Sequence, residues 1–98
     1  MTIKTEKTDG TTTVSLTGRL DTITAPELEA KLGEILDGTN ELIFDFTALD
    51  YVSSAGLRTL LSAQKKIQGN GTMKLRNLNE NVLEIMEVTG FSSIMTIE

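Results

Sequence analysis

The segment Tyr51-Val52-Ser53-Ser54-Ala55-Gly56-Leu57-Arg58 sets two hydroxyls and a glycine between two apolar runs. Before it stands Leu42-Ile43-Phe44-Asp45-Phe46, which reads as a buried strand. After it, Leu57, Leu60, Leu61 and Ile67 recur at helical spacing. The hydroxyls therefore fall where a strand turns into a helix. The first amides of a helix have no partner inside it and point at whatever sits there. A serine in that place can cap the helix. It can also carry a phosphoryl group, whose charge the free amides and the helix dipole favour. Both readings are open for Ser53 and Ser54. A nucleophilic serine fits less well. Ser-Ser-Ala-Gly-Leu is not the Gly-x-Ser-x-Gly elbow, and the chain has no histidine to activate a hydroxyl. Lys65 and Lys66 stand two turns or more farther along the helix. No Gly-x-x-x-x-Gly-Lys phosphate loop is present either.

Composition narrows the classes further. The 98 residues make one domain with a single small core. The absence of cysteine and histidine removes disulfides, thiol catalysis, the Ser-His-Asp triad and most zinc sites. With a net charge of −5 and 4% aromatic residues, neither a phosphate-tracking stripe nor a base-stacking platform can be built, so nucleic acid is not an expected partner. No apolar run is long enough to cross a bilayer, and Met1 to Glu6 lacks a signal-peptide core; direct membrane insertion is not expected and the cytoplasm is. A small domain acting by protein contact, without cofactor, metal or catalysis of its own, is the class that remains.

The elements that must position the serines follow from pattern. Ile3 opens a short alternating strand that ends at the turn signal Asp9-Gly10, and Thr11 to Thr17 forms its β-branched partner. Gly18 marks a bulge or an exit. Thr24, Pro26 and Glu27 suggest a capped helix bearing Leu28, Leu32, Ile35 and Leu36, stopping near Asp37-Gly38. Leu42 to Phe46, nearly all apolar, predicts a central strand covered on both faces. The next helix starts at Ser53 or Ser54 and reaches about Gln68. Met73 and Leu75 mark another strand, Asn79 caps a third helix with Val82, Leu83 and Met86, and Ile94 to Ile97 is a last strand or an apolar tail. This alternation predicts an α/β domain, a mixed sheet of four to five strands with helices packed against it. Whether the helices share one face is not decided by periodicity.

Three segments also resemble a known family. Leu16-Thr17-Gly18-Arg19-Leu20-Asp21 with Ala25-Pro26, Leu49-Asp50-Tyr51-Val52-Ser53-Ser54-Ala55-Gly56-Leu57, and Val88-Thr89-Gly90-Phe91 with Ile94 are similar, in this order, to segments of STAS domains of the anti-sigma factor antagonists. The resemblance spans almost the whole chain, 1–98. It implies a bacterial partner-switching phosphoprotein. Such a protein binds a serine-kinase anti-sigma factor, is switched off by phosphorylation of one serine and is restored by a serine phosphatase. In the family pattern Asp-Ser-Ser/Thr-Gly-Leu the modified serine follows the aspartate. Counting back from Gly56 assigns that serine to Ser54. Ser53 stands in the aspartate position, and Ala55 in that of the second hydroxyl. Ser53 is the alternative site, and Thr59, inside the helix, a third.

The resemblance places Asp21 in a loop used for partner contact; as a residue type in that place it is equally a turn or cap residue. Arg19, Ser53, Ser54, Gly56 and Arg58 complete the expected partner-binding surface. Arg58 could reach a phosphoryl group or pair with Asp21 or Asp50. Gly56, in the bland reading, is a close-packing glycine. Met73, Met86 and Met95 read as core, and Lys65-Lys66 as a solvated helix face. A competing reading is a non-switching STAS subunit of a lipid transporter or of a signalling complex.

Overall fold

Asp9 and Gly10 both take positive φ, 48° and 85°, as the tight turn of a two-residue hairpin requires. They join β1 (Thr2–Thr8) to β2 (Thr11–Leu20), which pair antiparallel. The computed structural model describes residues 1–98. After the hairpin come α1 (Ala25–Ile35), β3 (Glu41–Val52), α2 (Ser54–Ile67), β4 (Thr72–Arg76), α3 (Glu80–Val88), a single 3-10 turn (Phe91–Ser93) and β5 (Thr96–Ile97). The strands lie in the order β1-β2-β3-β4-β5, and every pairing after the hairpin is parallel. The expected mixed α/β sheet is therefore present with five strands.

That order settles the placement of the helices. Each parallel step moves one place in the same direction, and crossovers of one hand then put every helix on the same face. The core agrees. Val14, Leu16, Leu42, Phe44, Phe46 and Leu75 of the sheet join one buried cluster with Leu28 and Leu32 of α1, Leu57 and Leu60 of α2, and Val82 and Met86 of α3. The expectation that β3 is covered on both faces is corrected. Ile43 is only 6% exposed, yet it stands outside that cluster, flanked in register by Thr13 and Lys74. The next outward residue, Asp45, lies between Ser15 and Arg76. The far face is thus polar, and the apolar run of β3 reflects one isoleucine screened by its strand neighbours.

Other boundaries also shift. β2 does not leave the sheet at Gly18. The strand runs on to Leu20, with register shifts between Ser15 and Thr17 and between Gly18 and Arg19. Gly18 has φ +102°, so the bulge alternative is the one realised. β3 continues well past Phe46 to Val52, although β4 follows it only as far as Asp45. The protruding end is covered instead by α3, whose cap Asn79 accepts from the Val82 N–H at 2.8 Å and donates to the Leu49 carbonyl at 2.9 Å. Met73, Met86 and Met95 are buried as expected.

One buried polar link fastens α1. The Thr39 hydroxyl donates to the Ile35 carbonyl at 2.6 Å and lies 2.8 Å from the Thr12 hydroxyl. The Thr39 proton being used, Thr12 is the donor, and both buried hydroxyls are satisfied. Gly71 has no room for a side chain, since a Cβ there would run into the Asn40 carbonyl oxygen.

Phe44 is fully buried at the centre of β3 and stacks at a tilt on Phe46, ring centroids 6.1 Å apart. Phe44→Ala is expected to lower the unfolding free energy in urea by about 3–5 kcal/mol. A loss under about 1 kcal/mol would show that the ring is not part of the close-packed core.

Candidate functional site

The two serines, adjacent in sequence, do different work. Ser53 is extended (φ −88°, ψ 174°), and its Oγ accepts the Gly56 N–H at 3.2 Å, so it is the N-cap of α2. Its own N–H donates to the Leu20 carbonyl at 2.8 Å, and its carbonyl accepts the Leu57 N–H at 2.9 Å. Ser53 is therefore held at three points. Ser54 is the first residue of the helix and is exposed, and its hydroxyl enters no hydrogen bond within the chain. Thr59 is 7% exposed, and its hydroxyl donates back to the Ala55 carbonyl at 3.2 Å. Of the three candidate hydroxyls, only that of Ser54 is both accessible and unengaged.

Gly56 fixes the helix against the end of β2. A Cβ at this position would lie 2.7 Å from Leu20 Cγ and 2.8 Å from the Leu20 carbonyl oxygen. The close-packing reading of this glycine holds. The first turn of α2 contains no acidic residue, so no carboxylate of its own offsets the helix dipole there.

Asp21 follows Leu20 and builds the next turn. Its Oδ1 accepts the Ile23 N–H at 3.0 Å and the Thr24 N–H at 3.1 Å, with the Thr24 hydroxyl oxygen 3.2 Å away. The Thr24 amide, foremost, overcomes the opposing effect of desolvation and, with the Ile23 amide and the charge of Arg19, holds the carboxyl below its ordinary range. Thr24 does not cap α1 through its side chain, contrary to the expected capping box. Its hydroxyl already receives the Asp21 N–H and donates to the Arg19 carbonyl, both at 2.8 Å. The turn chemistry of Asp21 has taken the hydroxyl that the cap would have used.

Arg19 lies 3.7 Å from Asp21, and its guanidinium stacks 4.4 Å over the Tyr51 ring. The loop between them and α1 lifts Ile23 into solvent, 86% exposed. Tyr51 and Ile23 were not among the expected surface residues. The stack of Arg19 on Tyr51 depends on the register shift after Gly18, and exposure in a loop leaves no mark in the pattern.

A family model described as the STAS domain matches residues 2–98. The chain belongs to the STAS domain family. BtrV of Bordetella bronchiseptica, provisionally named an anti-sigma factor antagonist, is 37% identical over 94 residues, covering 94% of this chain and 81% of that protein. An anti-sigma factor antagonist from Mycobacterium paratuberculosis superposes with a TM-score of 0.89 at 26% identity, covering 98% of this chain and 83% of that one. The Bacillus cell fate determinant SpoIIAA in its phosphorylated form superposes with a TM-score of 0.75 at 20% identity, covering 99% of this chain and 91% of that one; it shares the fold.

In this STAS domain Arg58 is exposed and forms no ion pair. The expected pairing with Asp21 or Asp50 is absent; Asp21 lies beside Arg19 and Asp50 is in no ion pair. Arg58 instead borders a groove between the helices, together with Thr22, Pro26, Glu29 and Ser62. Glu29 is already engaged by Lys66 at 2.8 Å and by the Ser62 hydroxyl at 3.1 Å, and these bonds, that of Lys66 first, hold its carboxyl below the ordinary range. Lys66 is thus a tie between α1 and α2 as well as part of a solvated face.

The division between the serines is measurable. Ser53→Ala is expected to lower the unfolding free energy by about 1 kcal/mol, and Ser54→Ala to change it by less than about 0.5 kcal/mol. Equal losses in urea titrations would show that the cap is shared. The Asp21 carboxyl is held below its ordinary value, so its contribution to stability is complete above that value and drains away as the pH falls through the lower, folded-state one. Asp21→Asn should therefore flatten the acid limb of stability against pH; an unchanged limb would show that the turn is not what binds the proton weakly.

Proposed function

We propose that this STAS domain is an anti-sigma factor antagonist that binds a serine-kinase anti-sigma factor and is switched off by phosphorylation of Ser54. It works in the cytoplasm, by contact and without catalysis of its own. The observation that carries the reading is the free, exposed Ser54 hydroxyl at the first position of α2, beside a Ser53 hydroxyl already committed to the cap. The names of BtrV and of the mycobacterial protein support the antagonist role. The phosphorylated SpoIIAA structure shows that this fold can exist in a phosphorylated state.

The chemistry is a transfer from ATP held by the kinase. The Ser54 oxygen bonds to the γ-phosphorus, the bond to the β-phosphate oxygen breaks, ADP leaves and the hydroxyl proton passes to a base on the kinase. A serine phosphatase reverses the modification with water. Phosphorylation adds about −1.5 to −2 charges at neutral pH. At the start of α2 that charge is locally favourable, so the fold survives and the effect falls on the interface. There the dianion must be desolvated against a surface shaped for a hydroxyl. A mismatch of about 3 kcal/mol weakens binding roughly a hundredfold, enough to exchange partners. Arg19, Asp21, Ser53, Ser54 and Arg58 form the partner surface, and the buried Gly56 serves it by seating α2 on Leu20.

Wild type, Ser53→Ala and Ser54→Ala should be incubated with the cognate kinase and ATP and followed by mass spectrometry and partner release. The expected result is labelling of wild type and Ser53→Ala, none of Ser54→Ala, and release of the kinase on labelling. Labelling of Ser54→Ala but not of Ser53→Ala would move the site by one residue. If neither substitution alters labelling or release, partner switching fails, and a non-switching accessory subunit of a transporter or signalling complex takes its place.

A further inference from the structure

We propose that Arg58 is the positioning residue for the phosphoryl group on Ser54, holding it as an ion pair one turn along α2. The inference rests on Ser54 being the modified residue and adds what happens to the phosphoryl group once it is there.

Ser54 and Arg58 are four residues apart in an uninterrupted helix, Ser54–Ile67. Residues at that spacing are neighbours on one face, and helical side chains lean toward the N-terminus, which directs Arg58 back toward Ser54. An acidic group placed four residues before a basic one is the favoured order. Arg58 is also the cation one turn from Ser54 with nothing to hold; Lys65, likewise unpaired, stands nearly two turns farther along α2. Arg19 is taken by Asp21 and Tyr51, and Lys66 by Glu29. Two of the three anions around it are committed as well. On α1, Glu29 borders the same groove but is tied to Lys66 and Ser62. In the loop after β2, Asp21 is tied to Thr24, Ile23 and Arg19. On β3, Asp50 is exposed and in no ion pair. An exposed guanidinium with no partner gains from a new dianion one turn away, and its planar fork suits phosphate oxygens. Before modification Arg58 is free to meet a partner; after it, the side chain is turned onto the phosphoryl group. The switch would then remove a cation from the binding surface as well as add an anion.

The test encodes phosphoserine at position 54 of the full chain during synthesis and follows its second proton by phosphorus NMR, with no kinase involved. Wild type should lose that proton at a lower pH than Arg58→Gln, by about 0.3 unit, the size of an exposed helical pair. Arg58→Lys, which keeps the charge, should restore most of the difference. Lys65→Gln, which removes an equal charge farther along α2, should titrate like wild type. Identical titration of wild type and Arg58→Gln overturns the proposal. So does a shift in Lys65→Gln as large as that in Arg58→Gln, which would be an effect of bulk charge. Failure of the kinase to label Ser54 would count against the proposed function and leave this measurement standing.

Discussion

The arrangement of the site depends on one joint, where the first turn of α2 presses on the end of β2. The Ser53 N–H reaches the Leu20 carbonyl at 2.8 Å, and Gly56 packs so closely on Leu20 that a single added carbon would lie 2.7 Å from its side chain. Leu20 is itself fully buried. Because Leu20 is followed directly by Asp21, the joint also sets where the next turn begins. The free hydroxyl of Ser54, the Asp21 turn and the groove bordered by Arg58 are side by side for this reason, although more than thirty residues separate Asp21 from Ser54 in the chain. Any larger residue at position 56 would have to push the helix away from the sheet or displace Leu20, and close-packed interiors resist both.

A division of labour between adjacent hydroxyls follows. The cap needs extended backbone, and residue 53 is the last extended residue before the helix. Ser53 therefore turns its oxygen inward onto the Gly56 amide, and helix geometry carries the next side chain outward. One serine stabilises the helix while the other remains chemically free. A hydroxyl that both capped the helix and accepted a phosphoryl group would lose its cap bond on modification. With the cap on Ser53, the proposed phosphorylation of Ser54 would change the charge of residue 54 without unfastening α2.

The surrounding charges are arranged in the same sparing way. Asp21 is held by backbone amides and Glu29 by Lys66 and Ser62, so their negative charge is already spoken for close to the serine. Both pairs are surface features and add little to global stability. Their effect is on the local field: Asp21 and Glu29 have their own donors, and Arg58 is left uncompensated. The main stability comes from elsewhere, from one apolar layer in which the three helices share a single face of the sheet. The opposite face, with Lys74 paired to Glu41 and Arg76 to Glu98, carries no such layer.

The linear chain determined the parts of this protein. Alternating and helical periods gave the strands and helices, the Asp9-Gly10 turn, the Asn79 cap and the start of α2 within one residue, because each is written in contacts between residues a few positions apart. The three family-like segments were legible for the same reason. Tertiary structure decided how the parts meet. The strand order placed all helices on one face, and Ile43, which reads as core by its type, came to lie on the polar side with Lys74. A bulge after Gly18 set Arg19 opposite Tyr51 rather than Asp50. Asp21 drew the Thr24 hydroxyl away from the cap, and Arg19, not Arg58, came to lie beside Asp21. Each of these outcomes is a competition between groups for one partner in space. The winner depends on register and on distances of a few ångströms between distant segments, and local pattern contains neither.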